Sequence, residues 1–165
     1  MKKYLVLVTL LSVFSLAACS GIGTSPKGLE TPIEKASMKL ATDVKEGGYT
    51  LIGTEALNKM LAENKNLILI DTMPKEAFDE MRIKGAVNSP VAKTEKEFTP
   101  AEKQNILKVA GTDKRKTIVV YCGYTSCRRS HLGAKTLAEN GFASVYRYPG
   151  GIVGWKESGL PTEGK

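Results

Sequence analysis

Two short stretches constrain this chain's fold more than any other feature. Leu67-Ile68-Leu69-Ile70 and Thr117-Ile118-Val119-Val120-Tyr121 are apolar at successive positions. Successive side chains of a strand point to opposite faces, so a strand of this kind must be covered on both. That is the condition of a strand inside a parallel sheet, whereas a half-solvated antiparallel strand alternates polar and apolar residues. The segments around them supply the cover. Tyr49 to Ile52 reads as a further strand and Glu55 to about Glu63 as a helix. Thr99-Pro100-Ala101-Glu102 is a capping box opening a helix that Gly111 closes. A helix is expected from about Ser130 to Asn140, capped by Gly141, and a last strand from Ser144 to Tyr148. Upstream, Thr31-Pro32-Ile33-Glu34 has the same capping-box form, and Ile33, Ala36, Leu40 and Val44 share one helical face until Gly47-Gly48. Strands alternating with helices predict an α/β fold, an open parallel sheet flanked by helices on both faces.

The chain has 165 residues, enough for one domain and a targeting segment. With 42% hydrophobic and 25% charged residues it is neither a disordered chain nor a many-span membrane protein. Lys2 and Lys3 precede an almost unbroken apolar run from Tyr4 to Ala17. That run is shorter than the roughly 20 residues a permanent span requires, and it reads as a secretory signal. It ends in Leu16-Ala17-Ala18-Cys19, which resembles the lipobox of bacterial lipoproteins, where the Cys is acylated and the chain is cut before it. The alternative is an ordinary signal cut elsewhere. The resemblance implies export and a lipid anchor at Cys19, with each acyl methylene contributing about 0.8 kcal/mol to membrane binding. Ser20 is not the Asp of inner-membrane retention, so an outer-membrane anchor facing the periplasm is expected in a Gram-negative cell. The expected organisation is a signal peptide over 1–18, then lipidated Cys19, a flexible tether and the N-terminal helix over 19–48, and the α/β domain over 49–165.

Without Lys2 and Lys3 there remain 22 basic against 17 acidic side chains, a modest excess scattered among acidic residues. No nucleic-acid partner is expected from that pattern. Beyond Cys19 only Cys122 and Cys127 remain, with His131 the one imidazole. A structural zinc site lacks its four ligands, and no metal is expected.

Cys122 directly follows the buried strand that ends at Tyr121. Ligands of open α/β sheets bind beyond the carboxyl ends of the strands, where the next loop feeds a helix. The N–H groups of Gly123, Tyr124, Thr125, Ser126, Cys127 and Arg128 can surround a sulfur there, with Arg128, Arg129 and the helix start near Ser130 adding positive potential. A depressed thiol pKa and a nucleophilic thiolate at Cys122 are the expectation; the alternative is a buried structural Cys. Asp71, at the end of its own strand, either supports Arg129 or a loop amide or simply caps a turn. His131 is either a base or a surface residue at a helix start. Tyr148 and Trp155 are core, rim or gate. Gly150-Gly151 marks a turn where a side chain would clash.

From about Tyr49 to the end these residues resemble the rhodanese family of sulfurtransferases. Tyr121-Cys122 through Ser130, Ala134, Leu137, Gly141-Phe142, Val145, Gly150-Gly151-Ile152, Trp155, Gly159 and Pro161 match its C-terminal half. Asp71, Phe78, Gly85-Ala86, Asn88 and Pro90 match its upstream motif, although Met73 replaces an Arg and Arg82-Ile83-Lys84 replaces Gly-His-Ile-Pro. The resemblance implies a rhodanese-like fold with Cys122 as nucleophile. Residues 123–130 would then form the anion cradle, and no cofactor would be required. The expected partners are a small anionic, thiosulfate-like sulfur donor and a thiol or thioredoxin-like acceptor. The loop departs from the family's usual six residues, and two registers fit. Arg128 gives Cys-x5-Arg, as in rhodanese-fold phosphatases and arsenate reductases. Aligning Ser130 and Ala134 instead puts Arg129 in the family's Arg position, as in variants with Cys-x4-Cys-x2-Ser; helix packing favours this second register.

Cys127 opens a second reading as a resolving thiol in a redox or oxidation-sensing pair; the alternative is an inert loop residue. A non-catalytic rhodanese-like binding module is a third, and a phosphatase or arsenate reductase a fourth. For the anchor, Cys19→Ser is expected to abolish palmitate incorporation and move the protein from the membrane to the soluble fraction. Unchanged fractionation would refute lipid anchoring.

Overall fold

The computed structural model describes residues 29–63 and 66–165. The signal, Cys19 and the tether fall before residue 29 and lie outside the described residues. In chain order the elements are α1 (Glu30–Gly47), β1 (Thr50–Leu51), α2 (Thr54–Glu63), β2 (Leu67–Asp71), α3 (Lys75–Glu80), β3 (Arg82–Ile83), β4 (Val87–Asn88), α4 (Pro100–Ala110), β5 (Thr117–Tyr121), α5 (Arg128–Glu139), β6 (Ser144–Tyr148), α6 (Gly151–Glu157) and β7 (Thr162–Glu163). Five strands form one parallel sheet in the order β1-β6-β5-β2-β4, while β3 and β7 make a small antiparallel ribbon. Among the described residues no helix is long and apolar enough to cross a membrane.

The double-faced apolar strands lie at the centre, as their pattern requires. Ile70, Ile118 and Val120 point to one core with Ile106 and Ala110 of α4 and Leu132, Ala134 and Leu137 of α5. Leu69, Val119 and Tyr121 point to the other, with Leu57 of α2 and Ile152 and Trp155 of α6. Each such aliphatic side chain, removed from water, contributes about 1.5–3 kcal/mol.

The capping box of α4 forms as expected. Thr99 Oγ1 accepts from Glu102 N–H at 3.2 Å, and Glu102 Oε2 accepts from Thr99 N–H at 2.7 Å. The one expected at Thr31 does not form. Leu29 is the N-cap of α1, its carbonyl accepting from Ile33 N–H at 3.0 Å, and no side chain caps the helix. Pro32 then falls in the first turn, where its missing N–H needs no partner. The expected apolar face of α1 is only partly covered: Ile33 is exposed and the buried side chain is Asp43.

Helix α5 crosses the sheet closely at Gly133, where an added Cβ would lie 2.7 Å from Ile106 Cδ1 and 3.2 Å from Thr72 Cγ2. Gly133→Ala is therefore expected to lower stability by about 1–3 kcal/mol through overpacking, outweighing the roughly 1 kcal/mol gained in helix propensity. Adding Ile106→Val, which removes the obstructing methyl, should restore part of the loss; thermal unfolding of the wild type, Gly133→Ala and the double variant measures both steps.

Candidate active site

The site is built on the carboxyl end of β5. Asp71 of β2, Tyr121 of β5 and Tyr148 of β6 are in register, so the chain leaves all three strands at one level. Thr72 fastens the end of β5, donating to Tyr121 O from its N–H at 3.0 Å and from its hydroxyl at 2.8 Å. On the opposite side, Ile152 N–H donates to Cys122 O at 2.9 Å and Val153 N–H to Gly123 O at 3.1 Å. Gly151, with φ +62°, permits this approach. A Cβ there would lie 2.5 Å from Cys122 O.

Cys122 is 1% exposed. Its Sγ lies 3.1 Å from Ser130 Oγ and 3.6 Å from Cys127 O. Cys127 is partly exposed and borders a cleft of about 490 Å³ lined also by Met73, Pro74, Ala77, Lys93, Tyr124, Ser126, Arg128 and Arg129. The expected depression of the Cys122 pKa is not what the structure supports. Burial pushes the Cys122 thiol up, and the adjacent Cys127 adds to the rise, which Ser130 only partly offsets. It is Cys127 that is lowered, to about 6, first by the neighbouring Cys122 thiol and then by the backbone N–H groups of Arg129 and Gly123, against its own burial. The reason is geometric: the pair shares one negative charge, and the sulfur nearer water and the loop amides holds it.

The arginines are divided. Arg128 is turned away from the sulfur into ion pairs with Asp43, Glu46 and Glu95. Arg129 donates to Val91 O and borders the cleft with Lys93. Sequence reasoning missed a third arginine. Arg147 of β6 is fully buried, with its Nε 3.0 Å from Ser130 Oγ and its Nη2 2.9 Å from Cys127 O. A charge inside a strand walled in on both faces was the available signal.

His131 is neither a surface residue nor placed as a base for the thiol. It is fully buried, its Nδ1 2.8 Å from Tyr49 Oη. Arg147 Nη1 also donates to that tyrosine oxygen, at 3.1 Å, and His131 Nε2 is buried without a hydrogen-bond partner. Burial, with the positive charge of Arg128, lowers the imidazole pKa to about 4. Among the described residues, Asp43, Glu46 and His131 bring potential metal-ligand atoms within 4.8 Å of one another. Asp43 already accepts from Lys39, Arg128 and Arg147, a cationic surrounding unsuited to a further cation.

Asp71 is fully buried, and its Oδ1 accepts from Met73 N–H at 2.8 Å, the turn-capping role. It makes no contact with Arg129. Burial raises its pKa to about 6. Tyr148 and Trp155 are core residues in edge-on contact at 6.1 Å, and the indole N–H donates to Pro161 O.

A parallel α/β domain with paired thiols in the loop after its central strand defines a thiol-centred class of protein. The model of the rhodanese-like domain matches residues 54–158, and the chain belongs to that family. It is 26% identical over 110 residues to a sulfurtransferase of Allochromatium vinosum, covering 67% of this chain and 91% of that protein. The fold is similar to the solution structure of the polysulfide-sulfur transferase homodimer of Wolinella succinogenes (TM-score 0.60, 22% identity, 84% of this chain and 92% of that one). It is also similar to the crystal structure of the thiosulfate sulfurtransferase of Pseudomonas aeruginosa (TM-score 0.60, 19% identity, 84% of this chain and 26% of that one).

Asp71 and His131, both buried, have opposite effects on stability. Asp71 binds its proton more tightly folded (about 6) than unfolded (3.8), so its contribution falls as pH rises between those values. His131 is neutral down to about 4 when folded but charges near 6.5 when unfolded, so its contribution falls as pH falls across that window. Asp71→Asn is therefore expected to leave a stability that rises with pH from about 4 to 6.5, and His131→Gln one that declines from about 4 to 6. Urea midpoints across this range measure both slopes.

Proposed function

We propose that this protein is a lipid-anchored sulfurtransferase of the bacterial cell envelope, in which Cys122 carries sulfane sulfur as a persulfide from a small anionic donor to a thiol. The observation that carries this reading is the placement of the Cys122 and Cys127 sulfurs at the end of the central strand. Ser130 lies against one, and the cationic Lys93 and Arg129 border the cleft at the other. The names of the Allochromatium, Wolinella and Pseudomonas proteins, all sulfur transferases, support the same chemistry.

With thiosulfate as donor, Cys122 passes its proton to the Cys127 thiolate and attacks the outer sulfur. The S–S bond of the donor breaks, sulfite leaves with the electron pair, and Cys122 becomes a persulfide anion. Lys93 and Arg129 stabilise the departing dianion. An acceptor thiolate then attacks the outer sulfur and releases the Cys122 thiolate. No cofactor takes part.

A second reading rests on a second free thiol in the same loop, Cys127, whose carbonyl lies 3.6 Å from Cys122 Sγ. In it, the Cys127 thiolate attacks the inner sulfur of the persulfide, expelling hydrosulfide and closing a Cys122–Cys127 disulfide. A thiol or thioredoxin-like partner would supply the two electrons that reopen it. The phosphatase and arsenate reductase reading loses its main support, because Arg128 is committed to three carboxylates and not to the cradle.

Mixing the protein with thiosulfate and then cyanide, while following intact mass and thiocyanate, separates these readings. A one-sulfur adduct that cyanide removes, absent in Cys122→Ser, is the expected result. Loss of two hydrogens without an adduct, abolished in both Cys122→Ser and Cys127→Ser, would establish the redox pair instead. Neither change would leave only a binding module.

A further inference from the structure

The cradle loop is supported from beneath by a buried cation. Arg147 is 0% exposed, and each of its five N–H groups has an acceptor. Nε donates to Ser130 Oγ at 3.0 Å. Nη1 donates to Asp43 Oδ2 at 2.9 Å and to Tyr49 Oη at 3.1 Å. Nη2 donates to the carbonyls of Thr125 at 3.2 Å and Cys127 at 2.9 Å. Three of those acceptors belong to the loop and helix start that hold the thiols, and one of them, Ser130 Oγ, touches Cys122 Sγ at 3.1 Å.

A guanidinium in this position is tolerated only with a counter-charge, since an unpaired buried charge is strongly destabilising. Asp43 provides it, itself 1% exposed, and its other oxygen accepts from Arg128 at the first turn of α5. Asp43 lies on α1, outside the 54–158 span of the family match. Helix α1 thus reaches the Cys122 sulfur through three side chains in series, Asp43, Arg147 and Ser130.

We propose that Asp43 and Arg147 are positioning residues of the thiol site, Asp43 fixing the buried guanidinium and the guanidinium fixing the cradle loop, Ser130 and the charge felt by Cys122 and Cys127. The proposal rests on the reading of Cys122 as the nucleophile. The charged and titratable groups around the pair and its support are Lys39, Asp43 and Glu46 from α1, Tyr49 before β1, Asp71 from β2, and Tyr124 from the cradle loop. Lys93 and Glu95 come from the loop before α4, Arg128, Arg129 and His131 from α5, and Arg147 from β6. Of these, Arg147 is the cation that bonds both the Cys127 carbonyl and the Ser130 hydroxyl that touches Cys122 Sγ, so it couples most directly to the thiols.

The test is the pH profile of iodoacetamide alkylation at Cys122 and Cys127, resolved by peptide mass, beside kcat and KM for sulfur transfer from thiosulfate to cyanide. Asp43→Asn retains the shape and removes the charge. The uncompensated guanidinium should then take the thiolate as its counter-charge and move the alkylation midpoint down by about one pH unit. Arg147→Gln should move it up and lower kcat by about tenfold or more, with KM little changed, because the loop carbonyls lose their donors. Arg147→Lys should return the midpoint toward wild type without restoring kcat. Should Arg147→Gln fail to fold, Asp43→Asn/Arg147→Gln removes both charges together, and its midpoint should lie above that of Asp43→Asn alone.

Folded variants with lower melting temperatures but wild-type alkylation profiles would show a merely structural pair and overturn the proposal. Alkylation needs no sulfur donor. A wild-type protein that transfers no sulfur therefore defeats the sulfurtransferase reading while the midpoints still decide the role of Asp43 and Arg147.

Discussion

Strand β5 is hydrogen-bonded on both edges and packed on both faces, and the rest of the architecture follows from that enclosure. A strand so placed offers a reactive group to the surroundings only at its carboxyl end, where sheet pairing stops and the next helix has not begun. Cys122 occupies that place. The backbone that delivers it is held from two sides, by Thr72 at the end of β2 and by the amides that open α6. The sulfur is thereby fixed in depth, below the surface of the cleft and not on it.

Depth determines how the thiols divide their labour. A fully buried sulfur resists ionisation, and a nearby half-buried one with access to backbone N–H groups accepts the charge in its place. In either proposed chemistry, sulfur transfer or disulfide closure, the deeper thiol must first give up its proton, and the loop thiol is the group proposed to take it. The cleft has a cationic margin, Lys93 and Arg129, and an apolar wall of Met73, Pro74 and Ala77, which suits the anionic donor proposed for it.

The legible parts of the chain were those where one local rule decided the outcome. Strands β2 and β5 announce themselves by apolar runs, and α4 by a capping box whose partners are three residues apart. The segment between Thr72 and Phe98 was not legible, because α3, β3 and β4 are too short to establish a period and depend on pairing with distant partners such as Glu163 of β7. At the site, the position of Cys122 could be read from the strand before it. Its protonation state could not, since that depends on how the loop folds Cys127 against it. Asp43 is three residues from Leu40, on the stripe read as the apolar face of α1, and Arg147 lies between the half-buried Tyr146 and the buried Tyr148 of β6. Each looks like a flaw in its own pattern. Only the fold brings the two within 2.9 Å and makes each the explanation of the other.

The location of Asp43 also bears on where this domain starts as a physical unit. Sequence similarity marks a boundary at residue 54, but the electrostatic boundary lies earlier, within α1. A fragment trimmed to the similarity would retain the guanidinium of Arg147 in its core and lose the carboxylate that neutralises it. The shortest self-sufficient piece of this chain is therefore defined by charge balance in the interior, not by resemblance to other sequences.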